Sequence, residues 1–262
     1  MNRGYKTIIE AGETAPWLAM VHGMAQDHRI FTSQIAFFKD SYRILLIDLP
    51  GHGLATDVPG PYGHMEMMAY LRTVLDQAAI GPTHYWGTHT GTAVGLLLAV
   101  REPERFKSLI LEGPVISGHS MPYVTETLGR ASSVARTEGV QAAIQQVFAD
   151  AGWYDVVRAR PEECRMEEQW DIISEFSGAP WTFEGQPMPA NISDEELKAL
   201  IVPTLIYNGV NDLGDFFNVS DRIKRNLVNV THEIIPDAGG FPAWEFPFQV
   251  NDMVRKFLTK LS

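Results

Sequence analysis

The sequence predicts an α/β fold, a mostly parallel twisted sheet flanked by helices, with one helical insertion. Three observations predict it. Short apolar runs, each stopped by Gly or Pro, alternate with stretches of helical periodicity up to Pro114. The alternation then lapses and resumes at residue 202. The runs are continuous rather than alternating, the pattern of strands buried on both faces of a parallel sheet.

Taken in order, residues 16–21 (PWLAMV) and 43–48 (RILLID) read as the first two strands, ended by His22-Gly23 and by Leu49-Pro50-Gly51. Residues 83–86 lead into Gly87, and 107–112 into Gly113-Pro114. Residues 202–207 (VPTLIY) and 231–235 (THEII) complete the set. Helical spacing of apolar residues marks 64–79, 218–227 and 246–260, and 91–101 is apolar enough to be a buried helix. Residues 118–190 contain helical stretches such as VQAAIQQVFADAG but no strand pattern, and end in a Pro/Gly-rich segment. This gives a core of residues 1–117 and 191–262, with 118–190 as a helical cap.

Composition narrows the function. The chain has 262 residues, 45% of them hydrophobic, and a formal net charge of −11. An acidic surface repels phosphate backbones, so no nucleic-acid partner is expected. One cysteine, Cys164, rules out an intramolecular disulfide and any multi-cysteine metal site. The first residues lack the apolar run of a signal peptide, and no stretch approaches the ~18 apolar residues of a membrane span, so a cytoplasmic protein without a membrane partner is expected.

The chemistry-bearing motifs sit at strand ends. Gly87-Thr88-His89-Thr90-Gly91 has the G-x-x-x-G frame of a sharp strand-to-helix turn. His22-Gly23 follows the first strand, and Asp48-Leu49-Pro50-Gly51-His52-Gly53 follows the second. Val202-Pro203-Thr204-Leu205 precedes Gly209-Val210-Asn211-Asp212, and Ala238-Gly239-Gly240-Phe241-Pro242 precedes Glu245. In this order the motifs resemble those of the α/β-hydrolase superfamily over nearly the whole chain.

The resemblance implies an α/β-hydrolase fold with an oxyanion hole formed by the Met24 and Thr90 backbone N–H groups and with Asp212 as the catalytic acid. The chain departs from the family at two positions: His89 stands at the nucleophile elbow, and Gly240 stands where the catalytic histidine belongs. Ordinary serine-hydrolase chemistry is therefore not expected.

One coordinated change would account for both departures. His89 would reach into the space left at Gly240 and hydrogen-bond Asp212, keeping an imidazole–carboxylate pair for proton transfer. The expected function is an enzyme acting without a serine nucleophile on a small apolar or aromatic carbonyl- or ester-like substrate. Lyase, isomerase, cofactor-free oxygenase and water-activating hydrolase steps are all compatible. The alternatives are a catalytically silent small-molecule binding protein, or a serine enzyme carrying two substitutions. Glu112 competes with Asp212 as the acid. His22, His28, Gly240 and Trp244 are further candidates for the pocket. Asp48 and His52 read as structural, and cap aromatics such as Trp153, Tyr154, Trp170, Trp181 and Phe183 suggest an apolar site. No cofactor and no metal is expected, since no local ligand spacing accompanies His22 and His89. A homo-oligomer is left open.

Overall fold

The computed structural model describes residues 4–261. Its sheet has seven strands: β1 (Tyr5–Ile8), β2 (Trp17–Val21), β3 (Arg43–Ile47), β4 (Thr83–Thr88), β5 (Phe106–Glu112), β6 (Thr204–Gly209) and β7 (Val230–Ile235). Their order is β1-β3-β2-β4-β5-β6-β7. Every pairing is parallel except β1 with β3. The six strands expected from the apolar runs are all present. β1 was not expected, because an edge strand paired on one side and half exposed needs no continuous apolar run.

Alternate residues of one strand feed two cores. Leu18 and Met20 of β2 pack into one apolar cluster, while Ala19 and Val21 pack into another on the opposite face. Four helices matter for the site: α1 (Thr32–Phe38), α2 (His64–Gln77), α3 (Thr90–Ala99) and, after β5, α4 (Pro122–Thr137). Every residue of α3 is buried, as its apolar sequence requires. From α4 to the short helix Ala179–Thr182 the chain is helical and lies between β5 and β6. In that segment Phe148, Trp153, Tyr154 and Trp181 are buried together. Phe183 is exposed.

The glycine frame of the β4–α3 turn is dictated by close packing. A Cβ at Gly91 would lie 2.2 Å from the Val21 carbonyl oxygen, and one at Gly87 would lie 2.7 Å from the Gly91 carbonyl carbon. The start of α3 thus rests directly on β2 and β4 main chain, with no room for a methyl group. We expect Gly91→Ala to lower stability sharply, by about 3 kcal/mol or more, because backbone on both sides must move. Gly129, in α4, has nothing within 4 Å of its would-be Cβ, so Gly129→Ala should stabilise by about 0.5–1 kcal/mol. Urea melts of the two variants check both signs.

Candidate functional site

The site is built around His89, which follows β4 and caps α3 with φ 44° and ψ −106°. A non-glycine residue in this region carries strain of order 1–3 kcal/mol. The surroundings enforce it. The His89 N–H donates to the Glu112 carbonyl (3.0 Å), and the His89 carbonyl accepts from the Thr92 N–H (2.8 Å) and the Thr92 hydroxyl (2.5 Å). The turn therefore lifts the imidazole off the sheet toward the cap, as a nucleophile elbow lifts a serine.

The ring is fixed by aromatic packing rather than by a carboxylate. It stacks on Phe216 (centroids 4.5 Å apart, planes 10° apart) and tilts against Phe241 (4.7 Å). Nε2 is buried and has no hydrogen-bond partner among the described residues. Burial pushes the imidazole pKa down to about 4, against a smaller opposing effect of the Gly240 carbonyl. His89 is therefore a neutral imidazole at neutral pH.

Asp212 is not hydrogen-bonded to it, which corrects the expected dyad. One Asp212 oxygen accepts from Asn208 Nδ2 (2.9 Å) and the other from the Leu213 N–H (2.8 Å). The histidine and the aspartate both come close to Gly113. A Cβ there would sit 2.5 Å from His89 Nε2 and 3.7 Å from Asp212 Oδ2. The reason the reach falls short is visible at Gly240. A Cβ at that position would lie 2.6 Å from the Trp153 carbonyl oxygen and 2.8 Å from Trp153 Cβ. The space beside Gly240 is thus taken by Trp153, and the His89 ring lies against Phe216 and Phe241 instead.

Glu112 is also corrected as a site acid. Its side chain accepts a hydrogen bond from the Tyr207 hydroxyl (2.6 Å), which in turn accepts from Trp86 Nε1 (2.9 Å), all within the core. Burial pushes the Glu112 carboxyl up to about 8, and the negative charges of Glu245 and Asp212 add to the shift. Burial likewise pushes Asp212 and Glu245 up to about 7 each. Glu245 holds the Gly240 loop by accepting from the Gly239 N–H (2.5 Å) and the Phe241 N–H (3.3 Å). The sequence reading noted Glu245 only as a neighbour of the loop; its role depends on a chain reversal that no spacing reveals. The same holds for Asn208, which orients Asp212 and is itself anchored by Ser220 and His232.

On the opposite side, the loop after β2 is shaped by two histidines. Leu49 N–H donates to His22 Nε2 (3.0 Å), so the proton lies on Nδ1, which donates to the Gly23 carbonyl (2.7 Å). His52 repeats the arrangement, accepting from Ala25 N–H at Nε2 (3.2 Å) and donating from Nδ1 to the Pro50 carbonyl (3.0 Å). Burial lowers the pKa of both, His52 to about 3. His22 is thus a structural brace, not a pocket residue, and with both nitrogens committed it has no lone pair for a metal ion. His28 is corrected in the same way. It bonds Asp48 (2.8 Å) and Lys6 (3.0 Å) and does not border the cavity. Trp244 points away as well, donating its Nε1 proton to the Cys164 carbonyl under the Arg165 guanidinium.

Between core and cap lies a cavity of about 230 Å³. Met24, His89, Thr90, Trp153, Phe216 and Phe241 line the end nearest the elbow. The Met24 and Thr90 N–H groups donate to no acceptor among the described residues. Two unengaged amides beside a strained elbow are what an oxyanion hole requires. The residue at the apex of the elbow, His89, carries no hydroxyl or thiol to be acylated.

Comparison with known proteins agrees with the architecture. The profile of the alpha/beta hydrolase fold family matches residues 16–150, and the chain belongs to that family. It is 25% identical to a 2-hydroxy-6-oxononadienedioate/2-hydroxy-6-oxononatrienedioate hydrolase of Burkholderia vietnamiensis, over 91% of this chain and 83% of the relative. Among solved structures it resembles a thermophilic esterase from Thermogutta terrifontis with a TM-score of 0.82 and 23% identity, over 98% of this chain and 93% of the other. It also resembles the enol-lactonase from Burkholderia xenovorans with a TM-score of 0.81 and 20% identity, over 97% and 95% of the two chains. No helix among the described residues is long and apolar enough to cross a membrane.

Two outcomes follow for the acids and the loop. A carboxyl whose pKa is raised on folding contributes stability that is complete below its ordinary value of 4.5 and is lost as pH rises toward about 8. The melting temperature should therefore fall from about pH 4.5 to about pH 8, and Glu112→Gln should flatten that fall while still accepting from Tyr207. Scanning calorimetry across the pH range reads it directly. Gly240→Ala should cost about 1–3 kcal/mol by overpacking against Trp153, with a shift in tryptophan fluorescence as the cap moves.

Proposed function

We propose that this chain binds a small apolar carbonyl- or ester-like compound in the cavity above His89, without forming an acyl intermediate. The Met24 and Thr90 amides would hold the carbonyl oxygen, and the apolar wall would hold the remainder. One observation carries the reading: the elbow presents a neutral imidazole without a carboxylate partner, while Trp153 main chain occupies the place of the catalytic histidine. A Ser–His–Asp relay has neither its nucleophile nor its central base. The names of the relatives, a 2-hydroxy-6-oxononadienedioate hydrolase and an enol-lactonase, support a small oxygenated compound as the ligand class. They do not carry over a serine mechanism.

A second reading rests on Gly113. Because His89 Nε2 and Asp212 Oδ2 both come close to it, a modest shift on ligand binding would join them as an acid/base pair. The chain would then be a proton-transfer enzyme, such as a lyase, isomerase, cofactor-free oxygenase or water-activating hydrolase.

The test uses methyl pentyl ketone in D₂O and 4-nitrophenyl acetate. Saturation-transfer NMR should detect ketone binding, hydrogen–deuterium exchange beside the carbonyl should stay at the buffer rate, and intact-mass spectra after the ester should show no acyl adduct at the site. Exchange that is faster than buffer and abolished by His89→Ala would establish the second reading instead. An adduct on a cavity residue would overturn both.

A further inference from the structure

The cavity has a second polar end that neither the elbow nor the oxyanion amides explain. His64, the first residue of α2, and His119, in the loop after β5, both line it. Each commits one ring nitrogen to the protein. His64 Nδ1 meets the Ser117 hydroxyl at 2.9 Å, and His119 Nδ1 meets Arg222 Nη1 at 3.5 Å. A guanidinium has only donors, so His119 Nδ1 is the acceptor and its ring proton sits on Nε2. Among the described residues neither imidazole has a protein partner at Nε2.

The rest of the wall makes these two side chains conspicuous. Val115, Ile116, Met121, Val124 and Leu128 surround them. Both residues are half-buried, so each free Nε2 is open to solvent and to a ligand entering the cavity. Burial lowers the pKa of both imidazoles, so at neutral pH they offer hydrogen bonds rather than charge. Arg222 is itself tied to Asp194 (2.8 Å) and to the Ile192 carbonyl (2.8 Å), which holds His119 in place without a free cation at the wall.

The two polar ends are spaced by one helix. Phe216, against which His89 stacks, and Arg222, which meets His119, both lie on the helix Gly214–Asn226. Six residues at about 1.5 Å rise place them roughly 9 Å apart along its axis.

We propose that His64 and His119 form a distal recognition site that selects a carbonyl compound bearing a second oxygen function several carbon atoms away, a hydroxyl or a carboxylate that accepts an imidazole N–H. The proposal rests on the binding reading above and deepens it to a ligand class with two polar ends and an apolar middle.

The test compares dissociation constants for methyl pentyl ketone and for its ω-hydroxy and ω-carboxy counterparts, measured by NMR titration at pH 7. A distal oxygen should tighten binding by about tenfold in the unmodified protein, the net worth of one well-placed hydrogen bond. The hydroxyl-only and carboxylate-only outcomes both support the site and tell a neutral from an anionic ligand. The ratio of affinities should fall toward one in His119→Phe and in His64→Phe, and His119→Gln, which keeps a donor, should retain part of it. If these variants fail to fold, the comparison in the unmodified protein still decides. Equal binding of all three compounds would overturn the distal site and leave the carbonyl reading standing. Binding of none of them would overturn the carbonyl reading and the distal site with it.

Discussion

The structure depends on one constraint: α3 leaves β4 so abruptly that residue 89 is forced into a conformation that only the surrounding packing sustains. The contacts that sustain it are short and mostly main chain. Gly91 touches the carbonyl of Val21, Gly87 touches Gly91, and the His89 N–H is tied to β5. The same turn brings Thr90 to the cavity and rests the start of α3 on the end of β2, and Met24, in the loop after β2, lines the same cavity. The geometry that presents a side chain to the cap is thus independent of which side chain it presents. Here the residue at the apex is an imidazole, beside a strained turn and two unengaged amides.

That separation explains why the architecture was legible in the sequence and the site only partly so. Buried parallel strands leave continuous apolar runs, and tight turns leave glycines, so β2 to β7 and the elbow announce themselves. β1 leaves neither mark, because Tyr5–Ile8 is an edge with half-exposed residues. Spacing likewise singled out His89, Gly240 and Asp212, whose positions follow from strand ends; of the three, His89 lines the cavity. It did not reveal how their side chains are occupied. His22 and His28 carry the same residue type as His89, yet main-chain and Asp48 contacts remove both from the cavity. His64 and His119, which do line it, sit in segments with no motif around them.

The electrostatics follow from burial more than from pairing. Glu112, Asp212 and Glu245 lie close enough below the elbow for their charges to be felt by one another, and burial raises all three. In a serine hydrolase, an imidazolium formed during turnover would favour an ionised acid. Here the imidazole at position 89 is itself desolvated and depressed to about 4, so it supplies no such charge. Asp212 instead accepts from Asn208 and Leu213, donors that favour its ionised form and partly offset the effect of burial.

The two departures from the family are physically coupled, though not in the way spacing suggested. An imidazole at position 89 needs a place to lie, and it lies between Phe216 and Phe241. Phe241 is held by the loop that Glu245 clamps, and that loop admits Trp153 main chain against Gly240 because no side chain projects there. Restoring histidine at 240 alone would drive its Cβ into Trp153. Restoring serine at 89 alone would leave a hydroxyl with no base beside it. A side chain at position 240 would therefore require Trp153 to move as well. Residues 89, 153 and 240, on three separate segments, are thus packed so that a change at one is felt at the others.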